Sequence, residues 1–142
     1  MPTIADVMTK GVEVIGPEES LQHAAQLMDE LNVGALPVCN GSLLLGIVTD
    51  RDITVRATAA GMDPNEACVS DVMSEQVRWC SENDSTDSVM DIMGDTQIRR
   101  LPVLNDEREL VGIVSLGDLA TRLGGHIDTA VRKISMPSQP DR

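Results

Sequence analysis

The chain reads Gly46-Ile47-Val48-Thr49-Asp50-Arg51-Asp52 at one place and Gly112-Ile113-Val114-Ser115-Leu116-Gly117-Asp118 at another, 66 positions later (112 − 46). Each stretch opens with an apolar, β-branched run that is typical of a strand. Each then places a hydroxyl residue three positions before an aspartate, which is a start signal for a helix. The stretch therefore predicts a strand that leads directly into a helix, and it predicts this arrangement twice.

The rest of the chain repeats in the same order. Three further pairs share a spacing of 65 positions: Asp6-Val7-Met8 with Asp71-Val72-Met73, Ser20 with Ser85, and Pro37-Val38 with Pro102-Val103. The one additional residue enters the predicted hairpin loop of the second copy, around residues 105–108. Several matches in register indicate two tandem copies of one unit.

Each copy predicts the element order β-α-β-β-α. In copy one, residues 12–15 form a short strand, Ser20 caps a helix, and Asn40-Gly41-Ser42 joins the two strands of a hairpin. A second helix starts at Thr49 and ends at Gly61. The inner face of the first helix is predicted to carry Leu21, Ala24, Ala25, Met28 and Leu31.

The fold class follows from the size of the unit. A copy of roughly 60 residues with three short strands buries little apolar surface by itself. We therefore expect an α/β (α+β) fold in which two pseudo-symmetric repeats pack sheet to sheet. The expected boundaries are 1–62 for copy one, 63–68 for a linker helix opened by Asp63-Pro64, 69–125 for copy two, and 126–142 for a C-terminal helix and flexible tail.

Composition narrows the classes of partner. The chain has 23 acidic and 11 basic residues, a net charge of -12, which disfavours nucleic acid and anionic membrane surfaces as partners. Three cysteines in no metal-ligand spacing predict free thiols in a reducing compartment. The first residues lack the pattern of a secretion signal, so a cytoplasmic location is expected. Neither His23 nor His126 lies at ligand spacing from other metal-binding residues, so no metal site is expected.

The motifs resemble those of the cystathionine beta-synthase (CBS) domain. The resemblance covers about Thr3 to Leu123 and rests on the two Asp-Val-Met openings, residues 33–37 and 98–102, and the two stretches quoted first. It implies a tandem pair that binds an adenosine nucleotide or adenosyl compound in clefts between the copies. AMP, ADP, ATP and S-adenosylmethionine are the candidate ligands, and no cofactor is required. It also implies a homodimer, and a regulator that acts in trans on an unknown protein partner.

The resemblance assigns site residues by position. The family's Thr/Ser-x-x-Asp motif falls on Thr49 with Asp52 and on Ser115 with Asp118. The hydroxyl at a helix start suits a phosphate oxygen, and the carboxylate suits a ribose diol. The same motif is also a capping box that needs no ligand. The remaining expected contacts are Arg51 and Arg100 for phosphate, and Ile15, Leu36 and Leu101 as an aliphatic wall for adenine.

Two functions remain open. No nucleotide-binding, metalloprotease or nucleophile-elbow signature is present, so an enzyme is not expected. The first function is a ligand sensor and the second is a ligand-independent dimerisation or protein-interaction scaffold.

Trp79, at the position of Val14, is predicted either to stack on adenine or to fill a core or dimer seam. Copy two has Arg99-Arg100 where copy one has Gly34-Ala35, so the two clefts are expected to differ.

Overall fold

The structure is a computed structural model that describes the backbone of residues 2–123 and the side chains of residues 2–121. The chain divides into two compact units, which do not follow the order of the copies. The first unit is Glu13–Val77, and the second joins Met1–Val12 to Arg78–Arg142. Each unit therefore takes its Asp-Val-Met segment from the sequence of the other copy. The C-terminal helix and tail expected over 126–142 lie outside the described residues.

The first unit is built on a two-stranded hairpin. Strand β1 (Ala35–Asn40) pairs antiparallel with β2 (Leu43–Thr49). Helix α2 (Leu21–Leu31) precedes the hairpin, a π-helix (Asp52–Thr58) follows it, and a 3-10 helix (Val69–Asp71) closes the unit. The strand expected over residues 12–15 is reduced to one parallel bridge between Ile15 and Val38. The linker helix expected over 63–68 is a series of turns around Pro64, without an assigned helix.

The second unit has the same order with a fuller sheet, because its first strand pairs in parallel with the hairpin. Its described elements are α1 (Ile4–Val7), β3 (Cys80–Ser81), α3 (Thr86–Thr96), β4 (Arg100–Leu104), β5 (Leu110–Ser115) and α4 (Leu116–Leu123). The mixed helix and strand content confirms the expected α+β class. No helix in the described part of the chain is long and apolar enough to cross a membrane.

The first long helix of each copy, α2 in copy one and α3 in copy two, begins where it was predicted. The Ser20 hydroxyl accepts from the His23 N–H at 3.1 Å, and the Ser85 hydroxyl accepts from the Ser88 N–H at 3.2 Å. Each satisfies one of the N–H groups that a helix start leaves without a partner. On α2, Leu21, Ala24 and Met28 are buried as expected. Ala25 and Leu31 are exposed, so the buried stripe is narrower than predicted.

The two Gly-Ile-Val glycines receive the Asp-Val-Met segments. In the first unit, Ile47 and Ser74 form an antiparallel bridge, and a Cβ atom on Gly46 would collide with the Ser74 carbonyl oxygen. In the second unit, a Cβ atom on Gly112 would lie 2.7 Å from the Thr9 carbonyl oxygen. Glycine is therefore required at both positions because another backbone approaches there.

Candidate functional site

The motif of copy one lies where β2 passes into the π-helix. The Thr49 N–H donates to Oδ2 of Asp52 at 3.0 Å, and the Asp52 N–H donates to the Thr49 hydroxyl oxygen at 3.0 Å. The Asp52 residue is buried, with 3% of its surface exposed. This is the reciprocal geometry of a capping box, formed without any ligand.

The motif of copy two has the same geometry at the junction of β5 and α4. The Ser115 N–H donates to Oδ2 of Asp118 at 2.9 Å, and the Asp118 N–H donates to the Ser115 hydroxyl oxygen at 3.0 Å. Both residues are partly exposed. The Ser115 hydroxyl hydrogen and the second oxygen of Asp118 have no hydrogen-bond partner within the described side chains, so the hydroxyl can donate and the oxygen can accept a further hydrogen bond.

Arg56 is a functional candidate that the sequence interpretation missed. Its Nε atom lies 3.7 Å from Oδ1 of Asp52, and its Nη1 atom donates to the Val72 carbonyl at 3.4 Å. Arg56 therefore connects the motif carboxylate to the 3-10 helix region of the same unit. The sequence contained a signal for this contact, because Asp52 and Arg56 are four positions apart on a predicted helix and such residues are neighbours on the helix surface.

The π-helix explains part of that geometry. The Ala59 N–H bonds to Thr54 and the Met62 N–H bonds to Ala57, both five residues back. This wider turn replaces the α-helix predicted from Thr49, and Val55 within it is 45% exposed. π-Helical segments occur frequently at functional sites.

The two expected phosphate contacts differ in their surroundings. Arg100 is exposed and lies opposite Ser115 in the pairing of β4 and β5. Its counterpart in copy one is Ala35, which lies opposite Thr49. Arg51 is exposed, and its N–H donates to Oδ1 of Asp50 at 2.8 Å.

The three residues expected to form an aliphatic wall are core residues in this structure. Ile15 is 3% exposed, Leu36 is 2% exposed and Leu101 is fully buried. Ile15 and Leu36 pack in the core of the first unit, and Leu101 packs in the core of the second. None of them presents its side chain to an open surface here.

Trp79 and the buried cysteines were the other side chains considered for a role. Trp79 is 40% exposed, and the Arg108 guanidinium lies 5.3 Å from the centre of its ring, so it does not fill a core. Burial raises the pKa of the Cys80 thiol to about 12 and also raises the pKa of Cys39. Within residues 2–121, no three His, Cys, Asp or Glu side chains are grouped as metal ligands would be.

The chain matches the CBS domain family twice, over residues 4–57 and residues 69–125. The chain belongs to the CBS domain family. As a CBS-domain protein it is 40% identical over 127 residues to Hypoxic response protein 1 of Mycobacterium tuberculosis, covering 89% of this chain and 88% of that protein. It is 45% identical over 120 residues to the CBS domain-containing protein YhcV of Bacillus subtilis, covering 84% of each.

Solved structures of other CBS pairs share the fold. The crystal structure of Hypoxic Response Protein I with two coordinated zinc ions matches at a TM-score of 0.78 and 40% identity, over 87% of this chain and 100% of that one. CBSX2 in complex with AMP matches at 0.73 and 25% identity, over 85% and 95%. The CBS pair of MJ0100, in complex with 5-methylthioadenosine and S-adenosyl-L-methionine, matches at 0.71 and 27% identity, over 84% and 98%.

Proposed function

We propose that this CBS pair is a regulatory module that senses an adenosine nucleotide or adenosyl compound and has no catalytic activity of its own. The observation that carries the proposal is the hydroxyl–carboxylate pair found at the same junction in both copies. Two structural neighbours were crystallised with AMP or with adenosyl compounds, which supports this ligand class. AMP, ADP, ATP and S-adenosylmethionine are the proposed ligands.

The motif chemistry suits such a ligand. The second oxygen of a motif carboxylate accepts hydrogen bonds from a ribose diol, and the motif hydroxyl donates to a phosphate oxygen. The guanidinium groups of Arg51 and Arg100 offer the charge that phosphate requires. For Ile15, Leu36 and Leu101 to contact adenine, the core around them has to open when the ligand binds.

Regulation requires that the ligand favours one state of the protein. A ligand with equal affinity for two states changes neither population. We propose that the favoured state is recognised by a separate protein, in the cytoplasm, with this chain acting in trans as a homodimer. Nucleic acid and membrane surfaces are excluded from the proposal because the net charge of -12 repels both.

The test is calorimetric titration of ligand-free protein with AMP, ADP, ATP, NADH and S-adenosylmethionine, with Trp79 fluorescence in parallel. We expect saturable heat from at least one ligand, and at least tenfold weaker binding in the Asp52→Asn, Asp118→Asn double variant. Asp29→Asn, on the exposed face of α2, is the matched control and should leave affinity unchanged. Unchanged affinity in the double variant contradicts the site assignment.

The alternative function is a ligand-independent interaction scaffold. One observation favours it, because both capping boxes are complete without any ligand. If none of the five compounds gives heat or thermal stabilisation, the scaffold replaces the sensor as the proposed function.

A further inference from the structure

The two motif carboxylates are not equally available. Asp52 is 3% exposed, and Arg56 lies beside its second oxygen. Asp118 is partly exposed. A buried carboxylate that already bonds a backbone N–H and faces a guanidinium gains little from a ribose diol, because those contacts must first be lost.

The charges around the two motifs also favour the motif of copy two as the anion site. Opposite the motif hydroxyl stands Ala35 in copy one and Arg100 in copy two. The carboxylate of Asp50 lies over Gly34, 3.2 Å from where a Cβ atom would be, whereas the matching positions in copy two are Leu116 and Arg99. A phosphate beside Thr49 meets a further carboxylate, and a phosphate beside Ser115 meets a guanidinium.

The wider charge distribution strengthens this contrast. Residues 13–77 carry 11 acidic side chains and only Arg51 and Arg56 as basic ones, a net charge of −9. The described part of the second unit, residues 2–12 and 78–121, carries 10 acidic and 5 basic side chains, a net charge of −5. The field around the described part of the second unit therefore opposes an anion less.

We propose that a phosphorylated adenosine nucleotide binds through Arg100, Ser115 and Asp118 alone, and that Thr49, Asp52 and Arg56 form a structural anchor without a ligand. This assignment rests on the proposed function, and it narrows that function to one nucleotide for each chain. Arg100 then determines specificity, because it pairs with the phosphate and not with the nucleoside. The expected ligands are AMP or ATP, with adenosine binding more weakly.

The test is calorimetry with AMP, ATP, adenosine and S-adenosylmethionine on single variants. We expect one site per chain for AMP or ATP, and Arg100→Ala to weaken the nucleotide by about 10- to 100-fold while adenosine changes less than threefold. Asp118→Asn should weaken both. Arg78→Ala, an exposed arginine outside the proposed site, should change neither.

Two anchor variants complete the experiment. Asp52→Asn and Arg56→Ala should lower the thermal midpoint but leave nucleotide affinity within threefold, and Asp29→Asn, on the exposed face of α2, should change neither. Two sites per chain, or loss of binding in Asp52→Asn but not in Asp118→Asn, overturns the assignment. Binding of S-adenosylmethionine with neither AMP nor ATP overturns it too, and the proposed function stands. No heat from any of the four compounds overturns both.

Discussion

Thr9 and Ile113 bond to each other twice. The Thr9 N–H donates to the Ile113 carbonyl at 2.8 Å, and the Ile113 N–H donates to the Thr9 carbonyl at 3.0 Å. Gly112, beside Ile113, has no Cβ atom, and this lets the two backbones approach each other. Backbone hydrogen bonds therefore fix the N-terminal segment to β5, and they do not depend on the side chains of Thr9 and Ile113.

Gly112→Ala should release this segment. A Cβ atom 2.7 Å from the Thr9 carbonyl oxygen forces the two backbones apart, at a cost of about 1–3 kcal/mol in the free energy of unfolding. Urea denaturation measures the loss, and faster hydrogen exchange at Thr9 and Ile113 localises it. Gly16→Ala is the control, since its Cβ would meet no atom closer than 3.7 Å. Equal stability of the two variants would contradict the packing described.

Asp52→Ala should destabilise the chain more than Asp118→Ala. Both remove a capping carboxylate, which contributes about 0.5–2 kcal/mol. Asp52 is also buried, and its Oδ1 lies 3.7 Å from Nε of Arg56, so its loss removes this ion pair as well. Denaturant unfolding of the two variants gives the comparison. A larger loss of unfolding free energy in Asp118→Ala than in Asp52→Ala would show that the structural anchor lies in copy two.

Acid should weaken the N-terminal segment through Asp6. The Thr3 N–H donates to Oδ2 of Asp6 at 3.0 Å and holds the pKa of that carboxyl below its ordinary value of 3.8. A lowered pKa stabilises the folded chain above pH 3.8, and the contribution disappears as the pH falls through the folded value. The difference in unfolding free energy between wild type and Asp6→Asn should therefore shrink from pH 7 to pH 3. A constant difference would exclude this linkage.

Only one of the three thiols should react readily. Burial raises the pKa of Cys80 to about 12 and raises that of Cys39, so both remain thiols at pH 8. Cys68 is partly exposed. Titration with a chromogenic disulfide should give one fast equivalent per chain, which Cys68→Ser removes. Denaturant should then expose all the cysteines, and three fast equivalents in the native chain would contradict the burial.

Local signals in the sequence were sufficient for the helix starts and hairpins. Ser20 and Ser85 act within three residues of themselves, and the predicted hairpin turn at Asn40-Gly41-Ser42 lies between β1 and β2, with Asn40 as the last residue of β1. The π-helix was not predicted, because a five-residue hydrogen-bond step leaves no pattern in residue type. The strand predicted over residues 12–15 was wrong in extent, since only Ile15 finds a partner on the neighbouring strand.

The local geometry of the motif residues was predictable for a similar reason. The motif residues Thr49, Asp52, Ser115 and Asp118 stand at helix starts as expected, because the motif is local. The burial of Asp52 and of Leu36 depends on long-range packing, which residue order does not carry. Whether the nine predicted site residues contact a nucleotide remains a prediction.

The exchange of Asp-Val-Met segments has a consequence for the origin of the chain. A protein with a single copy would have to cover its Gly-Ile-Val strand with the segment of a second molecule, as in a domain-swapped dimer. Duplication and fusion of the gene place both segments on one polypeptide. Closure then becomes intramolecular and independent of protein concentration. Once fused, each half is free to accumulate substitutions that the other does not share, and the equivalent positions Ala35 and Arg100 now differ.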